Sequence, residues 1–112
     1  MPNFEVKTSP GESLVVSLAG ECDLTTRSEL AAALAEAVNE SAVVVVDLTD
    51  LSFIDSSGIH ELVTAYRAAL DRRGALYVRN ASDVVATVLE VTGIGGLLAP
   101  PTEHGLQKDQ SR

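Results

Sequence analysis

The chain is poor in the residues that carry metal, redox and nucleic-acid chemistry. Its one cysteine, Cys22, leaves no intrachain disulfide to form. With that thiol and only two histidines, His60 and His104, it has too few soft ligands for a structural zinc site. Eight Lys+Arg stand against sixteen Asp+Glu, a net charge of −8. A duplex binder needs a basic footprint to displace counterions, so no direct nucleic-acid contact is expected. An anionic membrane surface is disfavoured for the same reason. No apolar run reaches the roughly 18 residues of a transmembrane helix, so no membrane insertion is expected. Met1-Pro2-Asn3-Phe4-Glu5 has neither the basic n-region nor the apolar h-region of a signal peptide. These absences point to a soluble, cytoplasmic protein of a reducing compartment.

Catalytic signatures are missing too. There is no G-x-S-x-G elbow, no Walker A pattern and no G-x-G-x-x-G. Gly93-Ile94-Gly95-Gly96 follows a helix signal, the wrong context for a phosphate cradle. Asp47, Asp50 and Asp55 lack the ladder, Gly and Glu of a calcium loop and read as solvated carboxylates at a strand's end. Cys22 lies between Glu21 and Asp23, whose charges raise a thiol's pKa, so it reads as an unreactive filler. His60 sits beside an apolar helical stripe as a rim residue, and His104 lies in a polar tail. No catalytic, metal or cofactor residue is expected, and no enzyme.

What is present is a foldable domain. The chain is 46% apolar and 112 residues long, enough for one domain that buries roughly 65% of its unfolded surface. Phe4 to Ser9 alternates like a half-buried strand, Ser9-Pro10-Gly11-Glu12 reads as a turn, and Ser13 to Ala19 as a second strand, giving an antiparallel hairpin. Gly20 to Leu24 reads as a small acidic loop. Thr26 and Glu29 have capping-box spacing ahead of a helix that buries Leu30, Leu34, Ala37 and Val38. Val43-Val44-Val45-Val46 is a β-branched run without alternation, which suits a strand covered on both faces. Ile59, Leu62, Val63, Tyr66 and Leu70 form the stripe of a second helix, with Gly74 as its stop. Ala75 to Arg79 is a short strand. Asn80 or Ser82 caps a third helix that Gly93 closes, and Leu97-Leu98 forms a last strand or packs on the core. The fold class is α/β: a mixed β-sheet, an initial hairpin then β-α-β-α-β-α, with helices packed on it. Residues 1–99 make the domain and 100–112 a flexible tail.

The informative segment is Asp47 to Ile59, which joins the most buried strand to an amphipathic helix. In parallel sheets, ligands and partners meet the loops at the strands' carboxyl ends. Ser56 and Ser57 at a helix start are ordinary N-cap residues. A hydroxyl there also sits where free backbone N–H groups and the positive dipole end accommodate a phosphate. Gly58, lacking a side chain, would let another protein approach.

Gly20-Glu21-Cys22-Asp23, Asp50-Leu51-Ser52-Phe53-Ile54-Asp55-Ser56-Ser57-Gly58-Ile59 and Val91-Thr92-Gly93-Ile94 together resemble the STAS domain of bacterial anti-sigma factor antagonists. The resemblance runs from about Phe4 to Leu98. Cys22 stands where an aliphatic residue is commoner, and Pro100-Pro101 breaks the chain where relatives often end in a helix. The resemblance implies a partner-switching regulator that binds an anti-sigma factor kinase and so frees a sigma factor. That kinase would phosphorylate Ser56 and end the complex, and a serine phosphatase would reset it. Glu21, Asp23, Asp55, Ser56, Ser57, Gly58 and Ile59 would form the partner-binding surface. The protein would act without a cofactor, as a monomer or weak dimer. The alternative is a STAS module of another assembly, either a stressosome scaffold or the cytoplasmic regulatory subunit of a lipid ABC transporter.

Overall fold

The structure, a computed structural model, describes residues 4–100. The expected tail from 101 to 112, with His104, lies outside the described residues, as do residues 1–3. The order of elements is β1 (Phe4–Ser9), β2 (Leu14–Cys22), α1 (Arg27–Glu40), β3 (Val43–Ile54), α2 (Ser56–Asp71), β4 (Ala75–Arg79), α3 (Asp83–Thr92) and α4 (Ile94–Leu97). The four strands lie in chain order, with β1 antiparallel to β2 and β2, β3 and β4 parallel. This is the expected α/β mixed sheet with a hairpin at one edge.

Period-2 alternation places Val16, Leu18, Val44, Val46, Leu76 and Val78 in one core with Leu30, Leu34, Leu62 and Leu89 from the helices. Val45 is also buried, but it stands outside that cluster, between Val15 and Tyr77 in the cross-strand register. The unbroken valine run therefore does mark a strand buried on both sides. On Val45's side the cross-strand neighbours are Val15 and Tyr77.

Several boundaries differ from the sequence reading. Strand β3 does not end near Asp47 but runs on to Ile54, and β2 runs to Cys22. Two register shifts let Ala19, Gly20, Glu21 and Cys22 pair with Asp50, Leu51, Phe53 and Ile54. Backbone pairing thus carries both strands through residues whose polar side chains read as loop. On α2 the buried face is Gly58, Ile59, Leu62, Ala65 and Ala69, while Leu70 is exposed. Small alanines allow close packing where the pattern suggested the larger Leu70. The stop of α2 is also shared differently. Arg73 takes the left-handed conformation at φ 63, and Gly74 is needed because a Cβ there would overlap the Ala42 carbonyl oxygen. At the chain's end, Leu97-Leu98 forms no strand. Leu98 closes the core and its carbonyl accepts from Val78 N at 2.9 Å. Among the described residues no helix is long and apolar enough to cross a membrane.

Candidate functional site

The carboxyl ends of β2 and β3 lie side by side, with Cys22 opposite Ile54, and Asp55 N donates to the Cys22 carbonyl at 3.1 Å. That bond fixes the loop after β2 against the start of α2. Glu21, Asp23, Asp55, Ser56 and Ser57 are thereby brought to one end of the sheet.

The first loop is closed by its own side chains. Asp23 Oδ1 accepts from Thr25 Oγ1 at 2.7 Å, Thr25 N at 3.0 Å and Thr26 N at 3.3 Å. The Thr25 hydroxyl, then the two backbone N–H groups, hold the Asp23 carboxyl below the usual carboxylate range. Thr26 turns inward: Oγ1 donates to the Glu21 carbonyl at 3.1 Å and accepts from Asp23 N at 3.0 Å. It makes no side-chain cap to α1, so the capping box expected with Glu29 does not form. Its hydroxyl is already engaged in holding the turn between β2 and α1.

The start of α2 is arranged differently. Asp55, not a serine, is the N-cap, and its Oδ1 accepts from Ser57 N at 2.9 Å and Gly58 N at 3.4 Å. Ser56 is exposed and Ser57 half-buried. Among the described residues neither hydroxyl has a hydrogen-bond partner, because the carboxylate has taken the cap. Gly58 faces inward: a Cβ there would come within 2.6 Å of Cys22 Sγ and 2.7 Å of Ile54 Cγ1. Its missing side chain serves packing and not the approach of another protein. Ile59, too, is in the core. These two residues support the serine turn from beneath and do not present a surface.

Cys22 is the buried floor of the site. Burial first, then the charges of Asp55 and Asp23, push its thiol from an ordinary 9.0 up to about 11. It remains the expected protonated filler, but burial is the main cause and Asp55, not Glu21, acts beside Asp23. Glu61 also acts on this thiol and pairs with Arg27 at 3.6 Å, tying α2 to the start of α1. Sequence reading missed Arg27, Glu61 and Thr25. Only Glu61 had a signal, its spacing of four from Ser57 on one helix. His60 is exposed. Asp47 and Asp50 lie within β3 and not at its end, and Asp47 is paired with Arg79 at 3.1 Å. Burial of the Asp47 carboxyl is outweighed by bonds from Thr49 and Arg79, which hold it below its usual range. Among the described residues no group of three His, Cys, Asp or Glu is placed to hold a metal ion.

The family model described as "Mlab, STAS domain" matches residues 6–99. The chain belongs to the STAS domain family. It is similar to the anti-sigma-B factor antagonist of Listeria monocytogenes, 29% identical over 97 residues that cover 86% of this chain and 85% of that one. The anti-sigma-B factor antagonist of Bacillus subtilis is 25% identical, over 94% of this chain and 97% of its own. Among solved structures, a Mycobacterium paratuberculosis anti-sigma factor antagonist shares the STAS fold with a TM-score of 0.78 and 22% identity, over 94% and 92% of the two chains. Unphosphorylated SpoIIAA, also an anti-sigma factor antagonist, shares it with a TM-score of 0.72 and 23% identity, over 97% and 99%. The shared STAS architecture is thus the mixed sheet and helices that set the two loops side by side.

Proposed function

We propose that this STAS domain is an anti-sigma factor antagonist, a regulator without catalysis of its own, whose hold on an anti-sigma factor kinase is broken by phosphorylation of Ser56. The observation that carries the reading is the exposed, unpartnered Ser56 hydroxyl at the first position of α2, left free because Asp55 supplies the cap. The names of its relatives support the regulatory role. In the reaction, Ser56 Oγ takes the γ-phosphoryl group of ATP, ADP leaves and the hydroxyl proton is released. A serine phosphatase reverses the modification by hydrolysis.

The phosphate adds about −1.5 to −2 charges at pH 7. At this exposed end the phosphate repels the Asp23 and Asp55 carboxylates through high-dielectric, salt-screened solvent. The start of α2 offsets about 0.3–1 kcal/mol per charge. With the repulsion screened by solvent and offset in part, the helix is expected to hold the group without refolding, and the loss falls on the interface, where a partner surface fitted to a neutral hydroxyl meets a dianion. Titration calorimetry with the cognate kinase and nucleotide tests this. Ser56→Asp is expected to bind at least about 10-fold more weakly than wild type, about 1.4 kcal/mol. Ser56→Ala should bind well and stay bound, and Asp23→Asn should bind more weakly with its fold intact. Mass spectrometry after incubation with ATP should find one phosphate, on Ser56. Equal binding by Ser56→Asp and Ser56→Ala, or phosphate on Ser57 retained in Ser56→Ala, overturns the assignment.

A second reading, a STAS module of another assembly such as the cytoplasmic regulatory subunit of a lipid ABC transporter, draws on the Mlab name of the matching family model. Copurification of a membrane ATPase in place of a kinase would favour it.

A further inference from the structure

Six large apolar side chains are exposed among the described residues: Leu24, Phe53, Leu70, Val84, Val91 and Leu97. Three of them belong to the end of the sheet that carries Ser56. Leu24, 68% exposed, follows Asp23 in the loop after β2. Phe53, 41% exposed, stands opposite Glu21 in register, two residues before Asp55. Val84, 55% exposed, lies in the first turn of α3, and Ser82 just before it donates to the Leu51 carbonyl of β3 at 3.2 Å. Large apolar side chains exposed at the same end of the sheet suit an interaction surface.

The rim is acidic. Glu21, Asp23, Asp55 and Asp83 belong to this end, while its cations Arg27 and Arg79 are paired with Glu61 and Asp47. A second copy would bring like charges together, on a chain whose net charge is already −8. The chain's own segment from 101 to 112 offers one large apolar residue, Leu106, against three exposed ones. The charge pattern instead fits a different protein whose apolar pockets are rimmed with Arg and Lys.

We propose that Leu24, Phe53 and Val84 are the apolar anchors that hold the anti-sigma factor kinase, and that Glu21 and Asp83 steer a basic-rimmed partner onto them. This rests on the reading of Ser56 given above. The two sets act on different rates. At physiological salt, charges on the rim are screened beyond about 8 Å, so they govern approach more than retention. Desolvated apolar anchors govern release. The anchors let an acidic regulator stay bound at cellular salt, while the phosphate on Ser56 acts inside an interface that they hold in register.

Surface plasmon resonance at low and high salt separates these parts, using as probe each purified anti-sigma factor kinase of the genome that encodes this chain. Leu24→Ser, Phe53→Ser and Val84→Ser should each dissociate several-fold faster at both salts, and the triple variant at least about 10-fold faster. Glu21→Gln and Asp83→Asn together should slow association and flatten its salt dependence. Leu70→Ser and Val91→Ser remove equally exposed apolar groups elsewhere and should bind as wild type. Circular dichroism checks each fold, and Leu24→Gln replaces any serine variant that loses it. If Ser56→Asp is released but the anchor variants bind like wild type, the anchors are wrong and the switch stands. If no kinase binds the wild-type chain, both fall. A wild-type dimer that the serine variants dissolve in sedimentation would assign the surface to a second copy and overturn the proposal.

Discussion

Helices α1 and α2 both begin at the carboxyl end of the sheet, and they use their first hydroxyls in opposite ways. Before α1, Thr26 is buried and its hydroxyl bonds to Glu21 and Asp23, so it is part of the scaffold. At α2, Asp55 takes the cap and leaves Ser56 and Ser57 without partners. The two starts are linked through Asp55 N and the Cys22 carbonyl, and through Arg27 and Glu61. The lesson is that a hydroxyl at a helix start is structural or available according to whether a neighbouring carboxylate has already satisfied the backbone. Residue type alone does not separate the two.

Overfilling the floor that the two starts share has the largest expected effect. Gly58→Val would drive carbon into Cys22 Sγ and Ile54 Cγ1, and overpacking of this kind costs about 3 kcal/mol. Urea denaturation measures it, and adding Cys22→Ala should recover part of the loss. Stability equal to the parent would mean that Gly58 does not bind the two starts together.

The same floor gives a pH dependence. The folded-state pKa of Cys22 is raised from 9.0 to about 11, so the fold keeps a proton that the unfolded chain releases. Its contribution is whole below 9.0 and is lost as pH rises toward about 11, a loss of about 2–3 kcal/mol. Chemical denaturation across that window should show a steeper fall for the parent than for Cys22→Ala.

The next two substitutions address the starts themselves. Thr26→Val keeps the shape but leaves Asp23 N and the Glu21 carbonyl without their partner, an expected cost of about 2 kcal/mol by thermal or urea unfolding. Asp55→Ala removes the α2 cap and should cost about 1 kcal/mol, with Asp55→Asn recovering most of it. Smallest of all, Ser56→Ala should change stability by less than about 0.5 kcal/mol, since an exposed hydroxyl without a partner contributes little. A large loss there would abolish the contrast with Thr26.

Much of this architecture was legible in the chain. The alternation of β1, the Pro10-Gly11 turn, the valine run of β3 and the Leu30–Val38 face of α1 each state a local preference that the fold also satisfies. Other residues misled for identifiable reasons. Asp50 and Ser52 look like loop because a side-chain pattern does not report backbone pairing across a register shift. Leu70 looks buried because periodicity cannot tell that the alanines of α2 face the closer contact. Thr26 and Glu29 have the right spacing for a box, yet the hydroxyl has stronger partners brought by β2.

By itself the sequence determined most of the element types and the α/β class, because these follow from short-range periodicity and composition. Only the tertiary structure decided which hydroxyl is free, that Gly58 and Ile59 lie beneath the surface, and that Leu24, Phe53 and Val84 share one end with Ser56. Those facts depend on which strands lie next to each other and on what a side chain meets across space, and neither is written in local spacing.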